Sequence, residues 1–261
     1  MLLPMNRKGA STEHNSAFYE PLNEYKPFGP SIGVVDGPFE YVSALGMKLR
    51  WPFTTRMTVV QLPNGDLFLH SPIAHNAVLA KQLESRGRVR HLVSPNRGHY
   101  AHIGEWAREF PDAIAWASPR VRERARLQRI DIRFERDLGP YAPEEWRDEM
   151  DQAIIPGALL DEVVFFHRRS KTLILADTIM NFELVRMRQP YRLIARLCGI
   201  YSPCGGISPD LRLALWPNRQ EARLAYQRVL AWDPQRVVLS HGRCFEANGA
   251  AAIRRAFSWA L

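Results

Sequence analysis

No stretch of this chain approaches eighteen consecutive apolar residues, so no segment reads as a membrane span. The apolar start, Met1-Leu-Leu-Pro-Met5, gives way at once to Asn6-Arg7-Lys8 and is too short for the core of a signal peptide; a cytoplasmic protein with no membrane partner is expected. Cysteine is scarce. Cys198, Cys204 and Cys244 are odd in number and form no C-x-x-C pair, which argues against both a disulfide framework and a zinc knuckle and leaves buried free thiols as the expectation. There is no internal repeat and no low-complexity tract. What the chain does have is 261 residues at 46% hydrophobic, enough for one large core. The net charge of +8 and the isoelectric point near 9.7 leave room for an anionic partner without naming one.

Read along its length, the chain divides into an extended N-terminal arm, residues 1–30, and a single domain over 31–261. Ser31 to Gly37 predicts a short buried strand. Met57–Leu62 and Leu67–His70, joined through Asn64-Gly65, predict a hairpin. Ala74 to Glu84 carries helical spacing, and Val89-Arg-His-Leu-Val93 is the next strand, so a parallel crossover should place the following loop at a strand's carboxyl end, where open α/β sheets hold their sites. A helix over 103–110, a strand over 113–117 and a helix from Pro119 follow. Residues 138–156 read as turn-rich and acidic. Glu162–His167 and Thr172–Asp177 form a second hairpin, 181–199 is expected to be helical with a break at Pro190, and helices over 220–231 and 250–260 flank a strand over 236–240.

The segment from Arg120 to Asp137 holds Arg120, Arg122, Arg124, Arg126, Arg129, Arg133 and Arg136 against Glu123, Asp131, Glu135 and Asp137. Internal ion pairing on a solvated face is the plainer reading, and an acidic or nucleic-acid partner the other. No aromatic residue lies between Pro119 and Ile132, which counts against base stacking there.

Three apolar strands end in groups that bind metals: Val93 leads to His99 and His102, Leu175 to Asp177, and Leu239 to His241. Imidazole with carboxylate suits zinc, iron or manganese, although each residue alone is as readily structural.

The order of these motifs resembles the metallo-β-lactamase superfamily, and in detail a divergent branch of unknown function. The residues that carry the likeness are Tyr19-Glu-Pro-Leu-Asn23, Val34-Val-Asp-Gly37, Arg56-Met-Thr-Val-Val60, His70-Ser-Pro72, Ser94-Pro-Asn96, Val163-Val-Phe-Phe-His167 and His241-Gly242. The resemblance implies an α/β protein, an αβ/βα four-layer sandwich of two mixed sheets flanked by helices. It also implies a degenerate H-x-H-x-D-H loop, with its four positions falling on Arg97, His99, Ala101 and His102. Ala158 stands where the superfamily commonly has a histidine after Pro-Gly, Asp177 matches the bridging Asp, and His241 the terminal His. One metal position therefore loses two ligands and the other only one.

That pattern predicts one divalent metal, zinc ahead of iron or manganese, held by His102, Asp177 and His241, with His99 as an optional fourth ligand. Arg97 and Asn96 are the candidates for holding an anionic group of a small-molecule substrate or offsetting developing charge. The implied activity is metal-dependent hydrolysis of an unidentified substrate by a metal-activated water. The alternatives are a non-catalytic binding or structural protein that has lost its metal, a nucleic-acid phosphodiesterase using the Arg-rich segment, and oxygen chemistry at an iron site.

Overall fold

Period-two alternation in the central strands decides the architecture, because each of these strands has apolar residues for both of its faces. The computed structural model describes residues 18–43, 50–158 and 160–259. Seven strands form one sheet in the order β1 (Tyr25–Gly29), β2 (Ile32–Ser43), β3 (Arg50–Gln61), β4 (Asp66–His70), β5 (Arg88–Ser94), β6 (Ile114–Ala117) and β7 (Arg136–Asp137). Pairing is antiparallel from β1 to β4 and parallel from β4 to β7. The second sheet runs β11 (Arg236–Val238), β10 (Thr172–Ile174), β9 (Glu162–His167) and β8 (Met150–Ile155), parallel only between β10 and β11.

In β4, Phe68 faces the second sheet, whereas Leu67 and Leu69 pack against α1 (Ala77–Glu84), α2 (Ile103–Glu109) and α3 (Val121–Leu127). In β9, Val163 and Phe165 face the first sheet, whereas Val164 and Phe166 join the layer of α5 (Pro209–Leu215), α6 (Arg219–Ala231) and α7 (Gly249–Ala256). Phe68 and Phe165 meet edge-on at 5.2 Å, and Trp116 and Trp146 fill the space beside them at 4.6 Å. The layers are helix, sheet, sheet, helix, the αβ/βα sandwich anticipated from the motif order. Each large side chain buried between them contributes about 1.5–3 kcal/mol.

The Asn-Gly hairpin forms as expected: Gly65 takes φ +85°, and Asn64 Oδ1 accepts from the Asp66 N–H at 3.0 Å. The β4–α1–β5 crossover is parallel, so His70 and Ser94 end their strands on the same edge. Several expectations change. Tyr25–Gly29, inside the anticipated arm, is an edge strand paired with Ile32–Val35; residues 1–17 of that arm lie outside the described residues. Strands β2 and β3 run far beyond residues 31–37 and 57–62. Strand β8 lies at the end of the stretch read as turn-rich, because Met150, Gln152, Ala153 and Ile155 are buried there. The 181–199 segment is not one helix: Asn181 and Phe182 bridge to Gly242 and Tyr201, and only α4 (Tyr191–Leu197) is α-helical. Helix α5 was not anticipated. Among the described residues no helix is long and apolar enough to cross a membrane; the three cysteines are free, but not buried as expected, since Cys198 and Cys244 are half-buried and Cys204 is exposed.

Candidate metal centre

The carboxyl ends of β5, β10 and β11 open on one side of the sandwich. After β5, the buried Asn96 turns the chain inward: its Oδ1 accepts from the N–H groups of Gly98 (2.7 Å) and His99 (3.2 Å), and its Nδ2 donates to Asp177 Oδ2 at 2.9 Å. Asp177 follows β10, and His241 follows β11. Nε2 of His99 and Nε2 of His241 lie 3.1 Å and 3.0 Å from the same atom, Asp177 Oδ1. One ligand atom from each of the three residues lies within 4.8 Å of the others, the single such grouping of His, Cys, Asp or Glu among the described residues.

The partners behind these rings set which nitrogen faces inward. His241 Nδ1 sits 2.6 Å from the Thr54 carbonyl, which can only accept, so Nδ1 carries the proton and the inward Nε2 presents a lone pair whenever the ring is neutral. His99 Nδ1 pairs with Ser71 Oγ at 2.6 Å, from a residue held at φ +56°. A neutral His241 would aim its lone pair at a carboxylate oxygen. That contact requires a positive charge between them, supplied by a proton or by a metal cation. Burial depresses the His99 imidazole, but Asp177 outweighs it and raises His99 above its ordinary value. Burial likewise penalises the Asp177 carboxylate, and His99 and His241 reverse the effect and hold it well below the usual range. The donor set, two imidazoles and a carboxylate each fixed from behind, fits a divalent metal with open positions.

Beneath the triad lies a fully buried carboxylate. Glu162 accepts from three consecutive backbone N–H groups, Ala176 (2.7 Å), Asp177 (2.8 Å) and Thr178 (2.9 Å), and so fixes the turn that carries Asp177. Burial and the nearby Asp177 charge push its own acid upward. On the other side Arg56, buried and paired with Asp36 at 2.6 Å, donates to the carbonyls of Leu239 and Gly242 at 2.7 Å each, clamping the loop around His241. Gly242 has φ +90°, and a Cβ there would stand 2.3 Å from the Asn181 carbonyl oxygen. Ser71, Thr54, Glu162 and Arg56 were not singled out as site residues, although Ser71 and Arg56 fall within motifs that carried the family likeness.

The sequence placed His102 with Asp177 and His241 and left His99 optional; the geometry exchanges them. His102 comes one helical turn later, immediately before α2, where its Nε2 meets Glu40 at 2.5 Å and its Nδ1 meets Glu105 at 3.2 Å. Both ring nitrogens are thereby engaged, away from the triad. Burial lowers His102, but its bonds to the two carboxylates raise it overall, and Glu40 is lowered chiefly by its bond to His102. A cavity of about 240 Å³ joins the two groups, lined by His99, Asp177, His241, His102 and Glu40 together with Phe53, Ile73 and Tyr100. Arg97 does not line it and acts instead on the Tyr100 phenol, so the expected anchoring of an anion there has no geometric support. Asn96 supports Asp177 from behind rather than facing the cavity.

The fold is that of metallo-β-lactamases. The enzyme DIM-1, in a crystal exposed to ceftazidime, superposes with a TM-score of 0.61 over 91% of this chain and 95% of its own, at 13% identity. FIM-1 from Pseudomonas aeruginosa, in its mono-zinc form, gives 0.59 over 91% and 96% at 12% identity. The metal-soaked Flv1 flavodiiron core from Synechocystis sp. PCC6803 gives 0.59 over 91% and 60% at 11% identity. Likeness at such identities defines a shared fold: this is a metallo-β-lactamase-fold protein. Within that fold the chain belongs to the DUF4336 family, a domain of unknown function, whose model matches residues 47–190. None of the curated proteins matches the sequence closely enough to count as a relative.

Proposed function

We propose that this protein is a metal-dependent hydrolase whose single divalent metal, zinc first and iron or manganese as alternatives, is held by His99, Asp177 and His241. The carrying observation is the approach of both Nε2 atoms to one oxygen of Asp177. A cation bound there supplies a water of lowered pKa and polarises a carbonyl. The chain's own residues do the remainder. Ser71 and Thr54 fix the imidazole orientations, Asn96 and Glu162 hold the carboxylate, and Phe53, Ile73 and Tyr100 exclude bulk water from the reacting bond. His102, raised above its ordinary value by its bonds to Glu40 and Glu105, lines the same cavity and serves as the proton donor to the departing oxygen or nitrogen.

A cavity of about 240 Å³ with no lysine or arginine in its lining favours a small substrate that is uncharged around the scissile bond. The nucleic-acid reading loses ground for the same reason, and Arg120, Arg122 and Arg136 are taken up by Asp161, Asp137 and Glu145. Free thiols, one of them exposed, accord with the cytoplasmic location expected from the sequence. The rival reading, a non-catalytic protein in which a proton replaces the metal, shares this geometry. Turnover of a panel of chromogenic esters, thioesters and lactams by zinc-, iron- or manganese-loaded protein separates the two. Hydrolysis that a chelator abolishes and Asp177→Asn removes is the expected result; metal-replete protein inert on every class would discard the hydrolase reading.

A further inference from the structure

Six of the nine exposed large apolar side chains among the described residues fall within residues 185–224: Val185, Leu193, Leu197, Leu213, Trp216 and Leu224. The same stretch holds seven arginines, no lysine and only two acids, Asp210 and Glu221. Helix α4 shows the arrangement most clearly. Its inner face, Tyr191, Ile194 and Ala195, packs into the cluster around Trp51 and Phe182. Its outer face presents Leu193 and Leu197 one turn apart, 52% and 77% exposed, beside the equally spaced Arg192 and Arg196. The end of α4 lies near the start of α5, since the Asp210 charge acts on the Cys198 thiol.

We propose that this face of α4 docks on an anionic lipid surface, with Leu193 and Leu197 entering the interface and Arg192 and Arg196 meeting headgroup phosphates. An isolated apolar patch would suit many partners, but apolar side chains rising between arginines match a surface that offers negative charge and apolar depth together. A second copy placed face to face would oppose the exposed Arg192 and Arg196 with the same pair, which like-charge repulsion disfavours. The absence of a membrane partner was expected because no segment can span a bilayer, a condition that does not bear on lying against one. The docked face is one layer from the candidate centre: Phe53 packs in the α4 cluster, lines the cavity, and stands 4.8 Å ring to ring from His241. The proposal stands independently of any hydrolase activity.

The test is co-sedimentation of the full chain with vesicles of phosphatidylcholine alone and of phosphatidylcholine mixed with one third phosphatidylglycerol. Binding is expected only to the anionic vesicles and is expected to fall steeply with added salt. Leu193→Ser with Leu197→Ser, and separately Arg192→Glu with Arg196→Glu, each lower the partition at least about tenfold. All four positions are exposed, so the circular dichroism and melting point of both variants should match the wild type. Arg122→Glu with Arg126→Glu, in the other arginine-rich segment, leaves binding unchanged. The proposal is overturned by absence of binding to anionic vesicles, by binding that survives both α4 pairs, by binding lost instead with Arg122 and Arg126, or by a dimer in light scattering that the leucine pair dissolves.

Discussion

Replacing Glu162 by glutamine changes one buried charge and almost no volume, and its effect depends on the charge state beneath the centre. The carboxylate takes the Ala176 N–H on Oε1 and the Asp177 and Thr178 N–H groups on Oε2. A glutamine that keeps its oxygen toward Asp177 and Thr178 points an NH2 at the Ala176 N–H. That exchange removes one charge-assisted bond, about 1.5–3 kcal/mol, and weakens the other two. Relief of the repulsion with Asp177 returns about 1 kcal/mol on the same scale. With the two weakened bonds included, the balance is a loss of about 2 kcal/mol, or a melting point lower by about 4–8 °C in a chain of this size. Urea denaturation of the metal-free protein at neutral pH measures it, with the m-value checking that both proteins unfold alike. A variant as stable as the wild type would show that Glu162 is already protonated, and would refute the reasoning that a charged clamp sets the Asp177 turn.

Other substitutions test the neighbouring supports. Ser71→Ala removes the bond to His99 Nδ1 and is expected to weaken zinc about 10- to 100-fold in competition titrations while leaving the fold intact. Gly242→Ala places a Cβ 2.3 Å from the Asn181 carbonyl oxygen at a left-handed φ, and should cost at least about 2 kcal/mol in denaturant titration. Burial pushes His70 down to about 3 and His91 down to about 4. Between those values and the unfolded value near 6.5, the unfolded chain binds the extra protons, so stability falls as pH drops through this window by about 1.4 kcal/mol per unit for each group. Urea midpoints at pH 6 and pH 5, below the range in which the raised His99 and His102 lose their contribution, should differ accordingly, and a flat profile would show that these imidazoles are not buried neutral. His99, raised in the folded protein, acts oppositely: its contribution is complete below its unfolded value and is lost as pH rises through the folded one.

Much of the sandwich was legible because its central strands carry unambiguous signals. Asn64-Gly65 fixes a hairpin by turn chemistry, and the apolar runs ending at Val93, Leu175 and Leu239 mark the edge where side chains converge. Strand β8 was hidden because its buried Gln152 is polar in sequence, and its amide is satisfied by donating to the Gly139 and Tyr141 carbonyls and accepting from the Trp146 indole N–H. The long extensions of β2 and β3 were hidden because Glu40, Thr54 and Arg56 interrupt the alternation, and each is held by a partner distant in the chain. The exchange of His99 for His102 has a similar cause. Motif spacing counts residues, whereas the turn that Asn96 imposes decides which imidazole meets Asp177.

The central claim is that His99, and not His102, completes a metal centre with Asp177 and His241. Zinc content after dialysis, measured on the wild type and on His99→Ala, His102→Ala and His241→Ala, addresses it directly. About one equivalent is predicted in the wild type and in His102→Ala, with loss of at least about a hundredfold in affinity in the other two. A wild type that retains no zinc, iron or manganese, or a His102→Ala protein that is empty while His99→Ala stays loaded, would contradict it.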